Sequence, residues 1–528
     1  MSAWSWPLAM LFDSDSYYHL AVARAYTERG PFSELSWARF SAMQHGFGDK
    51  ELLFHWLVAL LVKVFPPLMA AKVAIAALVA SIVSSIALGV VEALGPVGIW
   101  LALSLIASSI AFGSRIIRLR PELLSLLLLL ASVRALARRR YAWLLPLSAA
   151  FALAYTAWQA LFAICVLAFL CVLWVSREAR FRILIFPLIG IAAGLMLHPQ
   201  FPHNLRIWYL QNVVFWRYTD SADVGTEILP LGFARFFAWE WPLLFCLPLM
   251  AAAMVRTQSS LTPERRETAF IYSAVAIAFG LLFSMSARFV VYALPFGLLA
   301  LAWQVRLHGF ELPERFRARP RAPRNAFVFA LACTIVLPRT AAALTDVVDR
   351  GGCVWPALRR QLEALGRAMP EGAKVAAPWA ASDDYIYFAP QGRYLNLLDP
   401  LFMRARDPRA YEVQRRLFAA QLIDVPLALR RDLDSDFIAF DVPALPELAA
   451  QLASDPRVVP LIAGGHALYR VEPDRDRAFV LSLRVDGSRE RLRQGEGMRY
   501  PRATELRARE VEGFVDSARV AGAGRCLW

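Results

Sequence analysis

The sequence predicts a polytopic α-helical membrane protein of about ten or eleven transmembrane helices, followed by a C-terminal soluble mixed α/β domain. Three observations carry this. Of the 528 residues, 58% are hydrophobic, well above a soluble globular norm. Between residues 69 and 345 one apolar run follows another, and many approach the roughly 20 residues that cross a bilayer. Beyond residue 345 charged residues become frequent and apolar residues fall into short runs.

The order of elements follows from charge. The net charge is +14. The basic clusters "RALARRR" (134–140), "REARFR" (177–182), "PERRE" (263–267) and "RLHGFELPERFRARPRAPR" (306–324) all lie between apolar runs. That is the pattern of cytoplasmic loops under the positive-inside rule. The sequence has no zinc-finger spacing, P-loop or dinucleotide glycine motif, so nucleic acid is not an expected partner. With those loops in the cytoplasm, spans are expected near 69–91, 97–113, 121–134, 141–157, 158–175, 183–199, 233–255, 268–286, 289–305 and 326–345. Parity then places three regions outside: residues 1–68, the turn 114–122, and the loop from about 200 to 232. The turn at Ser286–Phe289 and everything after 345 follow them. "KELLFHWLVALLVKVFPP" (50–67) as a full span would invert every later loop, so it is expected as an interfacial helix.

The domain plan is therefore 1–68, a first external loop with juxtamembrane helices; 69–345, the multi-span region; and 346–528, the external domain. In the last, strands are expected at 373–378, 436–440, 458–472 and 479–486, and helices at 355–369 and 410–423. Cys165, Cys171, Cys246 and Cys333 fall in spans as packing residues. Cys353 and Cys526 lie in the external domain, where an oxidising compartment permits a disulfide between them.

Acids near the outer ends of spans are few: Asp13 and Asp15 in "LFDSDSYYHLAVARAY", Glu122 in "RLRPELL", and Glu227 in "DSADVGTEILP". His19, Arg118, Arg120, His203, Arg206 and Arg288 accompany them. Carboxylates converging from separate loops suit a hard divalent cation, Mg²⁺ or Mn²⁺. Arginines beside them suit a phosphate group. Singly, each acid also reads as a solvated cap: Asp13 as the N-cap of "SYYHLAVARAY", and Glu122 after Pro121 as a first-turn residue.

The layout resembles the GT-C superfamily of membrane glycosyltransferases, specifically the catalytic subunit of oligosaccharyltransferase and its bacterial and archaeal single-subunit relatives. The resemblance runs from residue 13 to about 300. "DSYYHLAVA" (15–23) resembles the first-external-loop motif, which puts Asp15 at the metal-binding and catalytic aspartate. "GDKELLFHWLVALL" resembles the second juxtamembrane helix, and "SRIIRLRPELL" the second acidic motif through Glu122. "DVGTEILP" resembles the fifth-loop motif through Glu227, and "SARFVVYALP" a later segment through Arg288. The resemblance implies transfer of a saccharide from a polyprenyl phosphate or pyrophosphate to an acceptor, with catalytic Asp15, Glu227 and Arg288. It implies a metal held by Asp15, Glu122 and Glu227, and donor phosphate on Arg206 or His203.

One motif departs from the family. Its acceptor-reading Trp-Trp-Asp-Tyr-Gly corresponds to "PWAAS" (378–382), which retains Trp379 but has alanines for the Asp and Tyr. Alanine cannot hydrogen-bond a sequon hydroxyl, so a protein hydroxyl, a lipid or a glycan stands beside asparagine as acceptor. Asp383 or Asp384, one turn on, is the available substitute. A transporter, or a non-catalytic scaffold displaying the external domain, are the competing readings. Only twelve residues precede Asp13, so the transmembrane helix that precedes this loop in the family is expected to be missing or reduced. Ala-, Leu- and Arg-rich composition points to a GC-rich bacterium, its inner membrane and a periplasmic catalytic face.

Overall fold

The computed structural model describes residues 10–96, 98–217, 230, 232, 262–307 and 356–472. The spans expected at 233–255 and 326–345, the strand at 479–486, and Glu227, Cys246, Cys333, Cys353 and Cys526 lie outside these residues.

Helix α1 (Ser14–Arg29) closes at Gly30, whose φ of 70° ends the last turn with its amide on the Tyr26 carbonyl. Helix α2 (Leu52–Val62) has 11 residues, about 16 Å of rise, half a bilayer core of roughly 30 Å. Leu52, Phe54, His55 and Val58 are buried, while Trp56, Leu57 and Leu60 are exposed. An apolar face turned outward on a helix too short to span suits an interface.

The apolar runs then form α3 (Pro67–Leu94), α4 (Gly98–Ser108), α5 (Ile110–Ile116), α6 (Pro121–Ala137), α7 (Leu144–Ala154), α8 (Trp158–Ser176) and α9 (Arg182–Met196). After them come the short α10 (His203–Tyr209), α11 (Pro263–Met285) and α12 (Val290–Leu307). Among the described residues, four helices are long and apolar enough to cross a membrane: Pro67–Leu94, Trp158–Ser176, Pro263–Met285 and Ala287–Leu307. Leu52–Val62, Tyr141–Ala154 and Arg182–Met196 are apolar but shorter. The run expected at 97–113 is broken at Ser109, whose hydroxyl accepts the Phe112 amide and starts α5.

Charge sorts to the two ends of α6. Arg120 stands at its N-cap, beside Asp13 and Asp15. At its other end Arg134 and Arg138 pair with Glu92. Arg139 pairs with Glu264 at 2.7 Å and with Glu267 at 3.1 Å, and Arg180 joins Glu267 at 3.0 Å. Three of the four basic clusters thus converge on the end away from Asp15, and Arg306, the first residue of the fourth, joins them by donating to the Glu92 carbonyl.

The C-terminal module starts with α13 (356–368). Then come β1 (Lys374–Ala376), α14 (Trp379–Phe388), β2 (Arg393–Tyr394), α15 (Pro400–Arg406), α16 (Pro408–Phe418), α17 (Val425–Arg431), β3 (Phe437–Asp441), α18 (Pro446–Ala453), β4 (Val458–Ile462) and β5 (His466–Val471). The sheet order is β2-β1-β3-β5-β4. β1 is parallel to both β2 and β3, and β5 is antiparallel to β3 and β4. The expected strand at 458–472 is a hairpin of two. Asp399, Asp407 and Asp424 cap α15, α16 and α17 by accepting the amides of Leu401, Ala410 and Leu427.

This module is joined to the N-terminal loop by main-chain bonds. The Tyr394 amide donates to Trp37 O at 2.7 Å, and the Arg39 and Phe40 amides donate to Tyr394 O and Leu395 O at 2.9 Å. Residues 37–40 therefore cover the open edge of β2, with Ala38 bridged in parallel to Tyr394.

Candidate active site

The site is built where α1, the turn before α6 and α14 meet. Asp13 occupies the N-cap position of α1, but its side chain makes no cap bond. It accepts instead from the Ser16 hydroxyl and from Arg120 Nε, the latter at 2.5 Å. Arg120 Nη2 lies 3.0 Å from Asp15. The Leu119 amide donates to Ser16 Oγ at 3.0 Å, which stitches the 118–120 turn to the start of α1. Asp15 is the more open of the two acids, with its side chain 33% exposed.

Helix α14 packs on α1. Tyr17 meets Tyr387 and Phe388 at ring-centroid distances of 5.2 and 5.3 Å. This brings Asp383 and Asp384 into the field of Asp13 and Asp15. Asp383 is fully buried. One of its oxygens accepts the Leu398 amide at 3.2 Å, and the other has no partner among the described residues. Burial first, then the charge of Asp15, push its carboxyl well above the usual range, against the pull of the Leu398 amide. Burial, with Asp13 and Asp15, pushes Asp384 up to about 8. Trp379 is the first residue of the same helix and is half-buried.

A carboxyl raised from 3.8 to about 8 favours the folded chain only while protonated. Its contribution is full below the unfolded value and is lost as pH rises toward 8. In EDTA, the melting temperature of Asp384→Asn is therefore expected to gain on wild type as pH rises from 5 to 8. Thermal unfolding at the two pH values checks this, and a constant difference would refute it.

The other expected residues are placed as follows. Glu122 sits in the first turn of α6 after Pro121, but it is buried in a pair with Arg115 at 3.1 Å. In this arrangement its carboxylate is already satisfied by a guanidinium. Arg288 lies in the 3-10 turn Ala287–Phe289 between α11 and α12. Burial raises the Asp399 carboxyl, against the Leu401 amide and the charges of Lys50 and Arg288. His203 and Arg206 stand on α10 against the loop before α2. A Cβ at Gly46 would meet His203 Nδ1 at 3.2 Å and Arg206 Nη1 at 3.5 Å. Among the described residues no acid pairs with either side chain. Glu227, Cys353 and Cys526 are outside the described residues.

Gly48 fixes that approach. A Cβ there would lie 2.3 Å from the Asn204 amide nitrogen, a backbone atom that cannot give way cheaply. Gly48→Ala is expected to cost about 1–3 kcal/mol and to displace α10, read as a lower melting temperature.

A buried polar network, of which only His19 was singled out from the sequence, lies behind α1. Asp49 accepts from His55 Nδ1 at 2.7 Å and from Tyr26 Oη at 2.8 Å. The Asp49 amide donates to Gln200 Oε1 at 2.6 Å, and His198 Nε2 donates to the Asp49 carbonyl at 2.8 Å. Burial would raise the Asp49 carboxyl, but His55, the Glu51 amide and Tyr26 hold it below its usual range. Burial, then His55, depress His19; burial raises Glu51, partly offset by Lys50. The signal for it was the charged "GDKE" directly before an apolar run.

No protein-family model matches the chain, and no curated protein matches it by sequence. Solved structures do match in fold. The oligosaccharyltransferase of Archaeoglobus fulgidus, in its apo form, superposes with a TM-score of 0.56 at 12% identity, over 82% of this chain and 66% of that one. The same archaeon's oligosaccharyltransferase AglB, in complex with an inhibitory peptide and a dolichol-phosphate, gives 0.56 at 11% identity over 87% and 70%. ArnT from Cupriavidus metallidurans, bound to undecaprenyl phosphate, gives 0.54 at 13% identity over 86% and 93%. The chain thus spans about two thirds of the apo archaeal enzyme and most of ArnT. At these identities the likeness is one of fold: the chain has the fold of the oligosaccharyltransferase AglB and of ArnT.

Proposed function

We propose that the chain is a membrane glycosyltransferase that moves a sugar or oligosaccharide from a polyprenyl phosphate or pyrophosphate to an acceptor. The observation that supports this most is the packing of α14 on α1, which sets the buried Asp383 and Asp384 within the electrostatic influence of Asp15, at the end of the bundle away from the basic clusters. The two matched enzymes whose structures hold a polyprenyl phosphate support a lipid-linked donor.

In the reaction, the bond from the anomeric carbon to the carrier phosphate oxygen breaks, and its electron pair stays on the phosphate. The acceptor nucleophile forms the new bond to that carbon, and its proton passes to Asp15. Arg288 and Lys50, with His203 and Arg206 on α10, supply positive charge for the leaving phosphate. Asp384 and Trp379, on α14, would bind the acceptor.

The residues present fit a divalent cation, Mn²⁺ or Mg²⁺, because the orphaned oxygen of buried Asp383 lies in the field of Asp15. Asp15 and Asp383 would hold it, with Glu227, and it would add charge against the departing phosphate. The acceptor is a protein, lipid or glycan. The catalytic face is the periplasmic side of a bacterial inner membrane, with the C-terminal module on it.

The test is purified protein with labelled polyprenyl-linked saccharide, Mn²⁺ or Mg²⁺, and peptide, lipid and glycan acceptors. Transfer with release of the polyprenyl carrier supports the reading. Absence of transfer to every acceptor overturns it.

A further inference from the structure

We propose that His19, His55 and Glu51 form a buried binding site for a borderline transition cation of the Zn²⁺ class, clamping α1 to α2. Each residue offers one ligand atom, and these atoms all lie within 4.8 Å of one another. His19, Glu51 and His55 are 4%, 4% and 0% exposed. His19 Nδ1 and His55 Nε2 are 2.9 Å apart. Two nitrogens bound to tetrahedral zinc at about 2.05 Å stand roughly 3.3 Å apart, so a small opening of this pair admits the ion.

Two further features point to a cation. The Asp49 carboxylate can only accept, so the proton of its bond to His55 lies on Nδ1. In the neutral imidazole that turns the Nε2 lone pair toward His19 and the shared space. A carboxylate on the far nitrogen of a histidine ligand is the usual outer support of a zinc site. Glu51 Oε2 is buried with no hydrogen-bond partner among the described residues, a costly state that a cation relieves. Its other oxygen, Oε1, has Lys50 Nζ at 3.3 Å and is taken.

The donor set decides the ion. Two imidazoles and one carboxylate suit Zn²⁺, whereas Mg²⁺ and Mn²⁺ prefer all-oxygen shells. Three protein ligands leave one tetrahedral position for water. The site shares no residue with the Asp15 cluster and does not depend on the sugar-transfer reading. Because His19 lies one helical turn after Asp15, a cation here would fix the helix that carries Asp15.

Cobalt is the probe. The full chain, purified in detergent on a tag without histidines and stripped with EDTA, is titrated with Co²⁺ alone. One equivalent with intense tetrahedral visible bands, displaced by Zn²⁺, is expected. Asp15→Asn keeps these bands. Glu51→Gln and His19→Gln lose them while eluting as folded protein, and Asp49→Asn weakens binding about 10–100-fold. Absence of tetrahedral bands in wild type, wild-type affinity in folded Glu51→Gln, or loss of the bands in Asp15→Asn would each overturn the site.

Discussion

Asp15→Asn is expected to lower sugar transfer about 10²–10⁴-fold and to leave the chain folded. The change keeps side-chain size and removes one negative charge. Structure is retained because Arg120 keeps its 2.5 Å bond to Asp13, and because the packing of α1 rests on Tyr17, Tyr18 and Leu20, all essentially fully buried. Asp15 itself is a third exposed where it pairs with Arg120, and an ion pair open to solvent to that degree adds little to stability. Under the proposed function, its loss removes a proton acceptor and a cation ligand. Labelled-saccharide transfer, measured beside melting temperature and gel filtration, separates the two effects. A variant that transfers sugar at the wild-type rate would remove Asp15 from the mechanism. A variant that aggregates would show that the acid is structural.

Arg39→Ala is expected to destabilise the junction between the N-terminal loop and the C-terminal module by about 3–5 kcal/mol. Arg39 is 8% exposed. Its guanidinium donates to the carbonyls of Arg393 (3.0 Å), Leu433 (3.3 Å) and Asp434 (2.8 Å), and to Ser435 Oγ (2.8 Å). It also lies 5.5 Å from the Phe40 ring. Truncation strands several acceptors at once, each costing about 1–3 kcal/mol, with water recovering part. Lysine carries one point of charge in place of a planar fork, so Arg39→Lys is expected to recover only part of the loss. Limited proteolysis at the 30–48 loop, with thermal unfolding, reads the effect. Transfer is expected to fall too, since loosening this junction separates Asp383 from Asp15. Unchanged proteolysis would show that the main-chain bonds of residues 37–40 hold the module unaided.

Particular residues show what was legible. Asp15 stands out in the sequence as an acid beside long apolar runs, where charge is costly. The first-turn place of Glu122 is legible because proline at the start of a helix is a local signal. Its partner Arg115 is not legible, because the pair forms across the turn between α5 and α6 rather than along one helix. The sequence marks Asp13 as a solvated acid or a helix cap; it holds the N-cap position without a cap bond, because Arg120, 107 residues away in sequence, takes its carboxylate.

The sequence by itself determined the class: apolar runs of bilayer length, basic clusters between them, and short alternating strands after residue 345. These are local properties, set by the period of the helix, the thickness of a membrane and the cost of burying charge. Only the tertiary structure decided that α14 lies on α1, that Asp383 comes within the field of Asp15, and that His19, His55 and Asp49 form one buried chain. Such pairings join residues as far apart as Arg39 and Ser435, 396 positions along the sequence. They follow from which faces are left to bury once the helices have formed, and no local pattern encodes that.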